Sequence, residues 1–154
     1  MTALTVSMAR LDDPVVRDLI ELLQAEYVAR YGDRDDAPID ADAFAPPRGL
    51  FLLASEGGEP VAIGGWRSLG EGEAEIKRMF VVEAARGRGY ARTLLAELER
   101  TAGAAGVRRL VLETGTEQPE AMALYASAGY QLIAGFGYYA DAPRSRAFGK
   151  HLAS

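Results

Sequence analysis

Six consecutive residues, Arg86-Gly87-Arg88-Gly89-Tyr90-Ala91, carry the strongest chemical signal in the chain. Gly87 and Gly89 let a backbone turn tightly and approach a ligand with no Cβ in the way. Arg86, Arg88 and Arg92 gather cationic charge around the same point. The apolar run Phe80-Val81-Val82 precedes the loop, and Ala91, Leu94, Leu95, Leu98 and Ala102 follow it at helical spacing. The loop therefore leads from a strand into a helix whose first amides have no partner within the helix. Converging amides, the positive end of a helix dipole and nearby arginines suit a diphosphate. An ordinary strand-to-helix turn with solvated arginines is the plainer alternative, because glycine-rich turns are common.

Two other phosphate-binding patterns fit less well. A dinucleotide fingerprint would use Gly87 and Gly89 as its first glycines and Glu113 as its distant acid. Arg92 stands where its third glycine should be, and a large side chain there blocks close packing of helix on strand. The P-loop is excluded, since no Gly-Lys-Ser/Thr occurs in the chain. There is no cysteine and only one histidine, His151. A thiol nucleophile and a thiolate metal site are thus excluded, and a triad or multi-histidine metal centre is a poor fit. No metal is expected.

The elements that must position this loop follow from periodicity. Thr5 to Arg10 reads as a short strand. Asp13-Pro14 reads as N-cap and first residue of a helix with an apolar face of Val16, Leu19, Ile20, Leu23 and Tyr27, closed by Gly32. The acidic, proline-bearing stretch 33–49 reads as a loop with a short helix near Asp40 to Phe44. Leu50 to Ala54, Pro60 to Ser68 and Ala74 to Val82 form an antiparallel meander, with turns at Glu56-Gly57-Gly58-Glu59 and Gly70-Glu71-Gly72. After the loop come the second helix, a strand over Val107 to Thr114, and a third helix opened by Pro119 and ended by Gly129. Tyr130 to Phe136 and Ser145 to Leu152 close the chain as strands. The order β-α-β-β-β-α-β-α-β-β predicts one mixed sheet with helices packed on it, in a single domain over residues 1–154.

Two segments resemble the GNAT (GCN5-related N-acetyltransferase) superfamily. Phe80 to Ala91 is similar to its acetyl-CoA motif, Arg/Gln-x-x-Gly-x-Gly/Ala after an apolar strand, met here by Arg86, Gly89 and Ala91. Gln118 to Tyr125, followed by Gly129-Tyr130, resembles the family's Asn-x-x-Ala-x-x-Leu-Tyr…Gly-Phe helix, with Gln118 in place of asparagine. Glu83 stands where proline is frequent. The resemblance covers residues 74–136.

It implies an α/β (α+β) fold: a central mixed, mostly antiparallel sheet with two splayed parallel strands and helices on both faces. Acetyl-CoA would be the co-substrate. Its pantetheine arm would lie along Phe80, Val81 and Val82, with Gln118 beside it. The Val81 N–H would meet the thioester carbonyl, and residues 86–92 would hold the pyrophosphate. Tyr125 matches the tyrosine near the sulfur and is the expected acid; a core tyrosine is its plain alternative. Glu75 is the expected base, with Glu73 and Glu113 as rivals. The first helix and the segments after it would wall the acceptor pocket, which points to Tyr27, Tyr31, the acidic 33–42 stretch and Tyr138-Tyr139.

Composition narrows the partners. The chain has 154 residues, 25% of them charged, and a net charge of −5. That balance disfavours nucleic acid as a partner. Basic residues concentrate between Lys77 and Arg109, whereas acids crowd between Asp33 and Asp42. The split suits a polyanion at one place and a neutral or cationic molecule at another. No apolar run is long enough to span a membrane, and the first ten residues lack the pattern of a signal peptide, so a cytoplasmic protein is expected. The expected activity is transfer of acetyl to the primary amine of a small molecule, with a homodimer left open. A non-catalytic acyl-CoA sensor, a protein-lysine acetyltransferase and a Rossmann oxidoreductase are the alternatives.

Overall fold

The computed structural model of the chain describes residues 3–152. A first strand, β1 (Leu4–Ala9), leads into helix α1 (Pro14–Tyr31). Pro14 suits the first helical turn because its missing N–H would be unpaired there anyway. Asp13 precedes it, but its carboxylate accepts the Arg10 amide at 3.1 Å rather than an amide of the helix. Gly32 ends α1 at φ 84°, and its N–H donates to the Val28 carbonyl. The acidic loop that follows contains one short 3-10 turn, Ala41–Phe44, started by Asp40, whose side chain accepts the Asp42 amide.

The meander is β2 (Gly49–Glu56), β3 (Glu59–Gly70) and β4 (Glu73–Val81). Then follow α2 (Tyr90–Ala104), β5 (Arg109–Gly115), α3 (Pro119–Ser127), β6 (Gln131–Ile133) and β7 (Ser145–His151). The seven strands order as β1-β2-β3-β4-β5-β7-β6, and β4–β5 is the parallel pair. One face carries α2 and α3: Leu94, Leu95, Leu98 and Tyr125 pack on Leu52, Trp66, Ile76, Leu110 and Leu112. The other face carries α1: Val16, Leu19 and Leu23 pack with Phe44 on Phe51, Ile63 and Phe80. The mixed sheet with helices on both faces is as the sequence leads one to expect.

One element differs in extent. The strand expected over Tyr130 to Phe136 stops at Ile133. A Cβ on Gly135 would lie 2.6 Å from the Ala140 carbonyl oxygen, so the chain folds back on itself there. Residues 134–144 become a loop instead, and that loop covers part of the site described next.

Candidate active site

The site begins where the parallel pair comes apart. Strands β4 and β5 are in register only at Glu73↔Arg109, Ala74↔Leu110 and Glu75↔Val111. Beyond Glu75 each strand continues with the other no longer beside it. A bulge in β4 follows just beyond: between the pairs Gly65↔Lys77 and Ile63↔Phe80, two β4 residues face one on β3. Arg78, at the bulge, has φ 59°. Bulges bend and twist a strand, which here turns the end of β4 away from β5. The Val82 amide donates to Val61 on β3 at 2.9 Å. By strand alternation, the N–H and C=O of Val81 turn the other way, into the split. Phe80 packs on the α1 side, while Val81 and Val82 reach the α2 core.

At the open end of the split lies the glycine loop. Gly87 and Gly89 have φ 83° and 79°, the left-handed region that glycine reaches at no steric cost. The first amide of α2 to find a carbonyl is that of Thr93, 3.1 Å from Gly89 O. Among the described residues, the amides of residues 87–92 have no protein acceptor. Such a run of unpaired N–H groups at a helix N-terminus forms an anion site. The arginine side chains are engaged elsewhere. Arg86 donates to Val81 O at 3.0 Å and pairs with Glu26 of α1. Arg88 pairs with Glu56 at 2.7 Å, Tyr90 donates to the same carboxylate, and Arg92 donates to Ser127 at 2.7 Å. Ala91 follows Tyr90 in the first turn of α2. The loop thus offers backbone amides directly, and its arginines only by exchanging partners.

On the α1 side of the split is a cavity of about 300 Å³. Tyr27, Tyr31 and Tyr139 give it aromatic walls; Lys77, Glu113 and Arg144 give it charge, as do Asp33, Arg34 and Asp35 of the loop after α1. Gly115 lets Tyr31 cross the end of β5, since a Cβ there would lie 1.8 Å from the Tyr31 hydroxyl. Tyr31 in turn donates to Gln118 Oε1 at 3.1 Å and accepts the Glu117 amide at 3.2 Å. Gln118, at the start of α3, is therefore tied to α1 across the split. The floor of the cavity is unusual. Glu113 Oε2 is buried with no hydrogen-bond partner, and Oε1 accepts only a long bond from the Tyr139 amide, 3.4 Å. Burial raises the Glu113 pKa from its ordinary value; the Tyr139 amide opposes the shift, Glu75 adds to it, and the Gly137 amide and the Lys77 charge oppose it.

The loop walls are held by Asp35. Its carboxylate pairs with Arg78 and accepts from Tyr139 Oη at 2.7 Å, while its amide donates to Gln24 at 2.7 Å. Burial and the Asp35 carboxylate push the Tyr139 hydroxyl up to about 12. Tyr27 is also raised, by burial first and then by Asp35. These two hydroxyls are neutral walls at any physiological pH.

The two expected catalytic side chains lie in different settings. Tyr125 is buried on the α2 side, its ring 5.7 Å from that of Tyr130 and its hydroxyl 3.7 Å from Met79 Sδ. Burial alone raises its pKa, so the hydroxyl stays protonated. Glu75 is 2% exposed, and its carboxylate is held by Arg67 at 2.9 Å and by Lys77 at 3.8 Å. The cavity wall does not include Glu75; it does include its rival Glu113. Lys77 and Arg144 were not singled out from the sequence as site residues. Strand alternation puts Lys77 on the same face as Glu75, but the neighbouring chain it would face is not legible from spacing.

Comparison with known proteins decides the family. Residues 16–130 match the profile of the acetyltransferase (GNAT) family. The chain belongs to that family. A curated relative, named "IAA acetyltransferase", from Azospirillum brasilense is 38% identical over 91% of this chain and 94% of its own length. A Klebsiella pneumoniae structure, provisionally described as an acyl-CoA N-acyltransferase, superposes with a TM-score of 0.85 at 30% identity, over 97% of this chain and 98% of that one. A GNAT acetyltransferase of Elizabethkingia anophelis, with acetyl-CoA bound, has a TM-score of 0.70 at 18% identity, over 97% of this chain and 98% of its own; it speaks to the fold alone. In this GNAT chain the split of β4 from β5 and the glycine loop therefore sit in a sheet of the family's architecture. Among the described residues no helix is long and apolar enough to cross a membrane, and no group of acids and histidine is placed to hold a metal.

Proposed function

We propose that this acetyltransferase moves the acetyl group of acetyl-CoA to the primary amine of a small molecule, by direct transfer within a ternary complex. The observation that carries the reading is the run of unpaired amides at 87–92 at the open end of a split sheet. Those amides, with Arg86, Arg88 and Arg92 close by, would hold the pyrophosphate. Phe80, Val81, Val82 and Gln118 would line the pantetheine, and the Val81 N–H would polarise the thioester carbonyl. The acceptor enters from the α1 side, between Tyr27 and Tyr31. A cavity of about 300 Å³ supports a small acceptor over a protein tail.

An ammonium acceptor must lose a proton before it can attack, and the departing thiolate must gain one. Tyr125 would supply the second, since its buried hydroxyl holds its proton at neutral pH. Two carboxylates compete to accept the first. Glu75 is already engaged by Arg67 at 2.9 Å, with Lys77 farther off at 3.8 Å. Glu113 lines the cavity, has an unpartnered oxygen and a raised pKa, and is the better base on geometry.

Calorimetry with acetyl-CoA tests the cofactor half; no binding at sub-millimolar concentrations would sink it. Gly89→Val forces a branched side chain into a left-handed residue, at φ 79°. It should weaken acetyl-CoA binding by roughly ten-fold or more, because strain of about 1–3 kcal/mol redirects the amides. Tyr125→Phe should lower kcat by about 10²-fold while acetyl-CoA affinity stays within about two-fold. Unchanged turnover would remove Tyr125 from the proton path.

A further inference from the structure

Strands β4 and β5 keep a constant offset while they are paired: Glu73 with Arg109, Ala74 with Leu110, Glu75 with Val111. Carried two residues further, that register would set Lys77 beside Glu113. They are the first such pair on the α1 face beyond the last ladder rung, one on each lip of the split. Both line the cavity, yet no ion pair joins them within 4 Å among the described residues. Each is only partly met, Lys77 by a distant ion pair and Glu113 by one long hydrogen bond. Lys77 is 9% exposed at its side chain; its ammonium makes no hydrogen bond among the described residues and is 3.8 Å from Glu75 Oε2. Glu75 is taken up mainly by Arg67, which approaches to 2.9 Å. Glu113 keeps a buried oxygen with no donor at all.

An ammonium with little access to water and a half-buried carboxylate with one oxygen shut off from it, each under-satisfied, are costly unless something between them supplies the opposite charges. We propose that the acceptor is a zwitterion, an amino acid with an aromatic or apolar side chain, whose ammonium is received by Glu113 and whose carboxylate is received by Lys77. Tyr27, Tyr31 and Tyr139 are the walls that its side chain meets. Arg144, seated 5.0 Å over the Tyr31 ring, lies on the rim and adds positive potential at the entrance. Asp33 and Arg34, exposed on the neighbouring loop, also line the cavity and bring one charge of each sign. Asp35 is neutralised by Arg78, and its remaining oxygen accepts from Tyr139.

This assignment rests on the acetyl-CoA reading above and adds to it the charge of the acceptor. The ammonium loses two protons in all: one passes to Glu113 and then to water, and the other ends on the CoA sulfur. The amine nitrogen forms its bond to the acetyl carbon as the carbon–sulfur bond breaks. Lys77 takes no part in these transfers and acts by positioning the carboxylate.

The test pairs acceptors that differ only in the carboxylate: tyrosine against tyramine, and phenylalanine against phenethylamine, in a CoA-release assay. The amino acid of each pair should have a KM lower by roughly ten-fold or more, as expected for a hydrogen bond to a charged group. Lys77→Met, which keeps an unbranched side chain out to Cε and removes the ammonium, should collapse that KM ratio toward one. Equal KM values within the pairs, or a ratio that survives Lys77→Met, overturns the proposal. If Lys77→Met does not fold, the wild-type ratio decides alone. Acetyl-CoA binding by calorimetry separates the two levels. Binding without CoA release to any amino acid overturns the zwitterion and leaves the acetyl-CoA reading intact. No binding overturns both.

Discussion

Glu113→Gln should lower kcat by about 10²- to 10⁴-fold, the range for loss of a positioned general base. Glutamine matches the shape of the carboxylate, so acetyl-CoA binding, which depends on residues 87–92, should change little. Turnover in the parent should rise with pH through the Glu113 pKa, because the base works only when ionised. That limb should lie above the ordinary glutamate value of about 4.3, since burial raises it. In Glu113→Gln the limb should vanish, leaving only the titration of the acceptor's ammonium.

Stability gives a second readout with the opposite sign. A carboxyl whose pKa is raised by folding contributes stability at low pH that is lost as pH rises through the folded value. Once ionised, Glu113, with a buried and unpartnered oxygen, therefore works against the fold. Glutamine carries no charge there, so Glu113→Gln should melt higher than the parent at pH 7 and lose that advantage in acid. A variant that is both less active and more stable has not simply misfolded. Glu75→Gln is the control that separates the two carboxylates. It strips Arg67 and Lys77 of their partner, so it should melt lower. If Glu75→Gln abolishes the acid limb of the pH profile while Glu113→Gln keeps it, the base is Glu75, as the sequence alone suggests.

The contrast between these carboxylates shows where the sequence stops being legible. The glycine loop could be read directly because its chemistry is local. Gly87 and Gly89, the apolar run before them and the helical period after them all lie within one stretch of chain. The helix bearing Tyr125 is similar, since Pro119 and Gly129 mark its ends. The floor of the cavity is different. Lys77 and Glu113 are 36 residues apart in number, and they become neighbours only through a parallel register that three rungs define. Period-two alternation says that Glu75 and Lys77 share a face, but not that Arg67 across the antiparallel pair has already claimed Glu75. The loop over the cavity was hidden for another reason. Tyr130 to Phe136 has the composition of a strand, and only the close approach of Gly135 to Ala140 ends it at Ile133. The uneven charge distribution also had a use that spacing could not show: Arg78, from the basic stretch, is buried against Asp35, from the acidic one.

That buried pair supports the second large expectation. Arg78→Met should cost about 3–5 kcal/mol, because removing one partner strands the other charge where water is scarce. Arg78 is 6% exposed and the Asp35 side chain 12% exposed, so little solvent can take over. For a chain of this length such a loss lowers the melting temperature by roughly 10 °C. The left-handed φ of Arg78, 59°, is itself unfavourable for a long side chain, and methionine inherits that strain without relieving it. Asp35→Asn should also melt lower, since it removes the counter-charge of buried Arg78 and leaves one acceptor oxygen where Arg78 and Tyr139 now have one each. The double variant should recover part of the combined loss, because neither charge is then stranded; two costs that simply add would show that the pair is not coupled. Function should follow the same contact. Asp35 accepts the Tyr139 hydroxyl, so releasing its loop loosens one wall of the acceptor cavity. The acceptor KM should rise in Arg78→Met while acetyl-CoA affinity holds, and a parallel loss of both would place Arg78 in the general fold rather than in the acceptor wall.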